Sequence, residues 1–489
     1  MAKRTKIICT LGPAVDDEGV LSQLIDAGMD IARLNFSHGT HDEHAVRIAR
    51  LRRVAEAAGS PCAVLLDTKG PEIRTGALAG GGPVQLEEGA ELVLTEQPVL
   101  GDAHRVHQTC AGLVDHVSPG TVLLIDDGLI GLAVASVEGS DIRCIVKNPG
   151  ALGERKSVNV PGVAVPLPVM TDADRADLLF GIEQGVDFVA ASFIRNAQAV
   201  REIKAFLAEH GGGHIGVIAK VETAEAVDDI EAIVRESDGI MIARGDLGVE
   251  LPAYRVPHIQ KKIIRLCNER TTPVITATQM LDSMIRTVRP TRAEVADVAN
   301  AVYDGTDCLM LSGETAVGSY PVESVKVMAR IAEESEPYLY DEGAARREAA
   351  VVQGHGSVSV AVGMAAVRAA ETLGARCIVA PTMSGRSARM MASFRPRQPL
   401  YAVTPLPSVM RSMQLYWGVR PLLGDVKGDT DYVIAQARRI VLDRGLADVG
   451  DIAVFTVGNR DTSPQDDHAA YAPTNIMYVV QFHPEDAEE

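Results

Sequence analysis

The strongest constraint on this chain is a rhythm that stops and then restarts. Short β-rich runs alternate with helical patterns three times at the start. KIICTLGP (6–13) precedes VLSQLIDAG, DIARLNFSHG (30–39) precedes a helical stretch ending near residue 58, and PCAVLLDTKG covers 61–70. From Pro71 to Pro168 the rhythm lapses into Gly-rich, hairpin-like sequence such as GTVLLIDDGLIGLAVASVEG, with alternation near a period of two. It resumes in DFVAASFIR (187–195), HIGVIAKVE (214–222), GIMIARGD (239–246), PVITATQML (273–281) and DCLMLSGET (307–315). Three units before the interruption and five after it make eight, the number that closes a (β/α)8 barrel. An open doubly wound sheet is the rival arrangement.

Helix-start signals support the count: Thr40-x-x-Glu43 and Thr291-x-x-Glu294 are capping boxes, the second just after Pro290. Beyond Pro337 the spacing changes again. YLYDEGAARREAA reads as a linker and helix start, and five strand candidates follow: RCIVAPTMSG, QPLYAVTP, GVRPLLGD, DIAVFTVG and NIMYVVQF. The expected fold is α/β: a (β/α)8 TIM barrel with an inserted β-barrel domain and a C-terminal α/β domain. The barrel takes 1–70 and 170–340, the insert 71–169, and the last domain 341–489.

A chain of 489 residues is too long for one hydrophobic core, as this division requires. Its 47 Lys and Arg against 65 Asp and Glu give a net charge of -18, which disfavours nucleic acid and anionic membranes as partners. An anionic substrate must therefore meet local clusters of Arg, Lys, backbone N–H groups or metal. No run of apolar residues is long enough to span a bilayer, and MAKRTKIICTLGP lacks the pattern of a secretion signal. Seven scattered cysteines without Cys-x-x-Cys read as small buried residues rather than a disulfide framework or a zinc site. A cytoplasmic protein is expected, which leaves the Arg244-Gly245-Asp246 tripeptide no role as an adhesion ligand.

Active sites on such barrels form where the strands end at their C-termini. Those ends are polar immediately after nearly uncharged runs: Thr10 to Pro13, Arg33 to His38, Asp67 to Lys69, Ser192 to Arg195, Lys220 and Glu222, Arg244 to Asp246, Thr278-Gln279, and Ser312 to Glu314. Glu222 and Asp246 end adjacent strands five and six, a pairing suited to Mg²⁺ with water and substrate oxygens completing the shell. Lys220 shares a strand face with Glu222 and can neutralise a phosphoryl group. A Lys–Glu pair closing the barrel mouth is the plainer account. Arg33 and Arg74 suit bidentate grips on phosphate. Gly245 admits close approach of an anion, and LGVEL can open a short helix with free N–H groups. No Gly-Lys pair occurs, so a nucleotide is not held by a P-loop.

Two further stretches carry alternatives. HGTHDEH spaces His38, His41 and His44 three apart, as metal ligands or, more simply, as decoration on a capped helix start. Thr382-Met-Ser-Gly-Arg-Ser387 ends one strand and opens a helix, as a phosphate cradle or an ordinary helix cap.

Taken together, KIICTLGPA, ARLNFSHG, LDTKGPEIRTG, IDDG, NVPG, SFIR, IAKVE, ARGDLGVE, ATQML and LSGETA resemble pyruvate kinase, in family order and over nearly the whole chain. The resemblance implies transfer of the phosphoryl group of phosphoenolpyruvate to ADP, then protonation of the enolate to pyruvate. It makes Lys220, Arg33, Thr278 and Ser312 the catalytic set. Arg33, Lys220, Gly245, Asp246 and Thr278 would bind substrate, and Glu222 and Asp246 would hold Mg²⁺. Asn35, His38 and Arg74 would face the nucleotide, joined by Lys156 from the insert, which would act as a lid. Asn35, Ser37, Asp67 and Thr68 match monovalent cation ligands, and Glu72 in GPEIRTG goes with dependence on K⁺.

Thr382, Ser384, Gly385, Arg386 and Ser387 resemble an effector site for a sugar phosphate or AMP, and a homotetramer is the family expectation. The sequence departs from the family at Thr223, where Asn is common, and in a long stretch, GNRDTSPQDDHAAYAPTNIMYV, between the last two strands. Two other functions fit parts of the pattern. A Mg²⁺-dependent carbon–carbon lyase on a similar barrel also stabilises pyruvate enolate, and a silent sugar-phosphate sensor would use the last domain alone.

Overall fold

The computed structural model describes residues 3–339, 357–458 and 474–487. Eight parallel strands close into a barrel. In chain order they are Lys6–Thr10, Ile31–Asn35, Ala63–Asp67, Phe188–Ala191, Gly216–Val221, Gly239–Ala243, Val274–Ala277 and Cys308–Leu311. Closure is set by the first strand pairing with the last, Lys6 opposite Cys308 through Cys9 opposite Leu311. That pairing overturns the open-sheet alternative, since an open sheet leaves both terminal strands with a free edge.

These strands are apolar on both faces because both are covered. Alternate residues point inward, where Ile8, Leu65, Phe188, Ile218, Met241 and Met310 fill the lumen. The residues between them, such as Ile7, Val64, Val217 and Ile242, pack outward against the helices. Both expected capping boxes form, and a third appears at Thr171, where Asp174 takes the place usually filled by Glu or Gln.

The insert builds its own core from residues such as Leu92, Val106, Leu132 and Ile142. The expected β-barrel takes the form of a six-stranded sheet with a separate two-stranded ribbon. The C-terminal domain is a five-stranded sheet, and its strands Cys377–Pro381, Leu400–Thr404, Val419–Leu423, Ile452–Val457 and Ile476–Gln481 all fall in the anticipated segments. The first four are parallel and the last is antiparallel. Most of the expected linker at 338–350, the domain boundary at 340 and most of the long stretch after Val457 lie outside the described residues.

The last domain docks on the barrel face opposite the strand C-termini. Leu415 enters the lumen cluster, and its carbonyl accepts from the Cys308 thiol. Buried Lys6 donates to Gln414 Oε1 at 2.9 Å and to the Val419 carbonyl at 2.8 Å. All seven cysteines are buried and free. No helix among the described residues is long and apolar enough to cross a membrane.

Candidate active site

The C-terminal mouth of the barrel holds a continuous network of charges. Asp67, almost fully buried, accepts from Arg33 Nε at 2.6 Å and lies 3.2 Å from Lys220 Nζ. Arg33 also donates to Thr10 Oγ1 at 2.9 Å. Lys220 Nζ completes its set with Ser192 Oγ at 2.7 Å and Glu222 Oε1 at 2.8 Å. Three N–H groups thus find three oxygens on strands three, four and five.

Burial works against charge on Lys220, but Asp67, Glu222 and Asp246 outweigh it and raise its pKa. Burial likewise favours the neutral form of Asp67, yet Arg33 and Lys220 prevail and lower its pKa. Glu222 and Asp246 behave in the opposite sense. Burial raises both, and the charge of Asp246 pushes Glu222 further despite Lys220. Two buried carboxylates in contact cannot both ionise cheaply, so they share a proton or need a cation.

Sharp turns deliver these groups. Phe193 adopts φ +54 just after strand four, and its N–H reaches Glu222 Oε2 at 2.7 Å. Thr278 and Gln279, at the end of strand seven, stand at φ +67 and +52. A β-branched residue there is strained unless its surroundings hold it. Gly245 N–H donates to Thr278 Oγ1 at 2.7 Å, while Arg244 binds the carbonyls of Thr278 and Gln279 and pairs with Asp297 at 2.7 Å. Asp246 follows in the first turn of the short helix Arg244–Glu250, whose N-terminus has no side-chain cap. A Cβ on Gly245 would meet only ordinary contact with Thr278, so the protein's own packing does not demand glycine there.

At strand eight, Glu314 accepts from the backbone N–H groups of Ser312 and Leu281, joining two strand ends. The Ser312 hydroxyl is buried without a partner among the described residues. At strands two and three, Asn35 lies opposite Asp67 in register, and its side-chain oxygen accepts from Ser37 N–H. Thr68 Oγ1 accepts from Ser192 N–H.

The insert leans over this mouth. Lys156 pairs with Asp126 at 2.9 Å, and the charge of neighbouring Asp127 helps raise the Asp246 carboxyl after burial and against Lys220. Asn159 donates to Glu250 at 3.1 Å, tying the stem of the insert to the helix after strand six. Between them opens a cavity of about 260 Å³ lined by Asp127, Asn159, Phe193, Asp246 and Glu250 among others. Arg74, beside the stem, is held by Glu72 and the Arg155 carbonyl. His38 is exposed.

Two family models match the chain: pyruvate kinase, barrel domain, over residues 2–325, and pyruvate kinase, alpha/beta domain, over 360–479. The pyruvate kinase of Geobacillus stearothermophilus is 48% identical over 460 residues, which cover 94% of this chain and 78% of that protein. That of Clostridium acetobutylicum is 45% identical, covering 93% and 96%. A crystal structure of pyruvate kinase from Cryptosporidium parvum superposes with a TM-score of 0.90 at 38% identity, covering 98% of this chain and 96% of that one.

The chain belongs to the pyruvate kinase family. It is accordingly a phosphotransferase.

Most anticipated positions gather at the barrel mouth, namely Arg33, Asn35, Asp67, Thr68, Lys220, Glu222, Gly245, Asp246, Thr278 and Ser312. The histidines of HGTHDEH do not form a metal site. His41 pairs with Asp177, His44 binds the His38 carbonyl, and no cluster of three or more His, Cys, Asp or Glu able to hold a metal occurs among the described residues. Thr382 to Ser387 stand apart, in the C-terminal domain. There Thr382 Oγ1 accepts from Gly385 N–H at 2.9 Å, and Gly385, at φ +75, leads into the helix Arg386–Ser393. Ser192, Thr10, Asp127 and Glu314 emerge as close neighbours of the network without an assigned part in the sequence reading. All four lay inside quoted motifs, KIICTLGPA, SFIR, IDDG and LSGETA.

Proposed function

We propose that this enzyme transfers the phosphoryl group of phosphoenolpyruvate to ADP, giving ATP and pyruvate. The observation that carries the reading is the contact of Lys220 with Glu222 beside Asp246, in a buried mouth where one lysine charge faces the three carboxylates Asp67, Glu222 and Asp246. Such a donor set, all oxygen and with both carboxyls raised by burial, fits Mg²⁺. Magnesium held by Glu222 and Asp246 would supply positive charge to the carboxylate and phosphoryl oxygens of the substrate.

Each residue then has a task. Arg33 grips the substrate phosphate, and Lys220 balances the negative charge that spreads over the phosphoryl oxygens in transit. The uncapped N-terminus of Arg244–Glu250 and the Thr278 hydroxyl orient the substrate carboxylate against Gly245. The bond from phosphorus to the enol oxygen breaks as one forms to the terminal phosphate oxygen of ADP. The enolate left behind takes a proton at its terminal carbon, on the face of Thr278 and Ser312.

Asn35, His38, Arg74 and Lys156 meet the nucleotide as the inserted domain closes. Closure excludes water, so that the phosphoryl group goes to ADP and not to solvent. Asn35, Ser37, Asp67 and Thr68 bring oxygens from two paired strand ends and suit K⁺. The same reading includes a sugar phosphate or AMP as effector at Thr382, Ser384, Gly385, Arg386 and Ser387, a homotetramer, and a cytoplasmic location.

A lactate dehydrogenase-coupled assay tests the reaction. Pyruvate should form from phosphoenolpyruvate only when ADP and Mg²⁺ are both present. Pyruvate release without ADP, or condensation and cleavage of carbon–carbon bonds by the same protein, would overturn the reading.

A further inference from the structure

One short segment, 411–417, takes part in three separate cores. Met413 lies in the core of the C-terminal domain, Leu415 in the barrel lumen, and Trp417 in the layer between the barrel strands and their helices, each at most 1% exposed. Tyr416 packs against the first two. The segment contains a single 3-10 turn, Met413–Leu415, which rotates successive side chains by about 120° and so sends them to different neighbours.

On one side the segment supports the loop 382–387. A Cβ on Gly385 would come within 3.0 Å of Met413 Cγ and 3.4 Å of Tyr416 Cε2, so the loop backbone rests directly on these two side chains. Burial raises the pKa of the Tyr416 hydroxyl, and the charges acting on it come from both domains: Arg389, then Asp238 just before strand six, then Arg386.

On the other side the segment reaches the starts of four barrel strands. Arg411 Nε donates to Asp187 Oδ1 at 2.9 Å just before strand four, and Asp187 Oδ2 accepts from Val64 N–H of strand three. Gln414 accepts from Lys6 of strand one, and the Leu415 carbonyl accepts from the Cys308 thiol of strand eight. A Cβ on Gly239, the first residue of strand six, would meet Leu415 Cδ2 at 3.3 Å. Strand six runs into Arg244, Gly245 and Asp246, and strand eight into Ser312.

A core packed at crystal-like density has few voids to absorb a displacement, so a shift at one end of such a segment is felt at the other. We propose that residues 411–417 couple an anion bound at the loop 382–387 to the catalytic mouth: the occupied loop displaces Met413 and Tyr416, and Leu415 passes the displacement to the bases of strands six and eight. The inference rests on the reading of that loop as an effector site and names the route by which its occupancy reaches the substrate.

Coupling between two ligands is reciprocal, so binding alone can read it, without turnover. Ribose 5-phosphate, fructose 1,6-bisphosphate and adenosine 5′-monophosphate should be titrated in turn into the full-length protein by isothermal calorimetry in Mg²⁺. Each titration is run with and without saturating phosphoenolpyruvate, and ADP is left out. At least one probe should bind, lose that binding in Arg386→Ala, and bind about five-fold or more tightly when phosphoenolpyruvate is present. In Leu415→Ala its affinity without phosphoenolpyruvate should stay within about two-fold of the parent, while the tightening falls below about two-fold. Leu415→Val removes a single methylene and endangers the fold less. It should lose part of the tightening, and it decides the matter if Leu415→Ala does not fold. If no probe shows binding that depends on Arg386, the effector reading fails and the inference goes with it. If a probe binds and phosphoenolpyruvate tightens it equally in the parent and in both Leu415 variants, the effector site stands and the coupling segment is overturned. Binding that phosphoenolpyruvate leaves unchanged in the parent overturns it too.

Discussion

Arg244 donates to the carbonyl oxygen of Thr278 at 2.8 Å, while Gly245 N–H donates to the hydroxyl of the same residue at 2.7 Å. Two successive residues at the start of the helix after strand six thereby hold a left-handed threonine at the end of strand seven. Arg244 also pairs with Asp297, so it anchors the turn to a helix rather than meeting the substrate itself. Replacing Arg244 with Lys keeps the charge and loses the planar fork that spans the carbonyls. We expect kcat to fall by about 10- to 100-fold with melting temperature nearly unchanged. Steady-state kinetics with calorimetric melting checks this, and unaltered kcat would remove the positioning role.

Lys220 contacts three strand ends at once, so its loss tests charge balance directly. Lys220→Met should lower kcat by about three orders of magnitude or more, since a preorganised cation facing a transferring phosphoryl group has that scale of effect. Glu222 would lose its cationic partner, which raises its pKa further and weakens metal binding at neutral pH. A variant retaining more than a few per cent of the rate in the coupled assay, at saturating Mg²⁺, contradicts the role given to Lys220.

The raised carboxyls of Glu222 and Asp246 fix a sign for pH dependence. A group whose folded pKa exceeds its unfolded value contributes stability below the unfolded pKa, and that contribution is lost as pH rises through the folded one. The metal-free protein should therefore lose stability from this pair as pH climbs above the ordinary carboxylate range. Magnesium competes with those protons, so its stabilisation should be larger at about pH 8 than at about pH 6. Melting curves with and without Mg²⁺ at the two pH values measure it. An equal or reversed increment would mean that the pair is not the metal site.

Much of this was legible in the chain because the signals were local. Eight apolar runs ending in polar residues announced the barrel, and Thr40 and Thr291 marked helix starts with side chains that cap them. Contacts made by turns were not legible. Phe193 delivers its N–H to Glu222 only because it adopts a left-handed conformation that no pattern of hydrophobicity encodes. Likewise Ser192 looked like an ordinary strand-end hydroxyl, and only the parallel pairing of strands four and five brings Lys220 to it. Arg395 gave no hint of its pairing with Asp307, since the two lie on separate domains.

Glu72 provides a test of the monovalent cation. Its carboxylate is engaged by Arg74, within reach of the stem of the insert, and carries a negative charge where a lysine would carry a positive one. Glu72→Lys should reduce the dependence of the rate on K⁺ by about ten-fold or more, by supplying fixed charge in place of the ion. Rates in potassium and in a bulky organic cation at equal ionic strength decide it. Activity of the parent that is indifferent to the cation would remove the K⁺ site altogether.

One buried guanidinium crosses the junction of the barrel with the last domain, alongside the Lys6 and Leu415 contacts. Arg395, 2% exposed, donates to Asp307 Oδ1 at 2.8 Å and to the Gly305 carbonyl at 2.6 Å, and its plane lies 4.8 Å from the centre of the Trp417 ring. Asp307 in turn accepts from Val274 N–H, so the ion pair braces the entry to strands seven and eight. Removing the arginine leaves Asp307 buried with its cation gone, at a cost of roughly 3–5 kcal/mol. Arg395→Leu should therefore lower the denaturation midpoint sharply, whereas Arg395→Leu with Asp307→Leu should recover a large part of the loss by removing the stranded charge. A double variant no more stable than the single one would show that packing on Trp417, and not the ion pair, holds the junction.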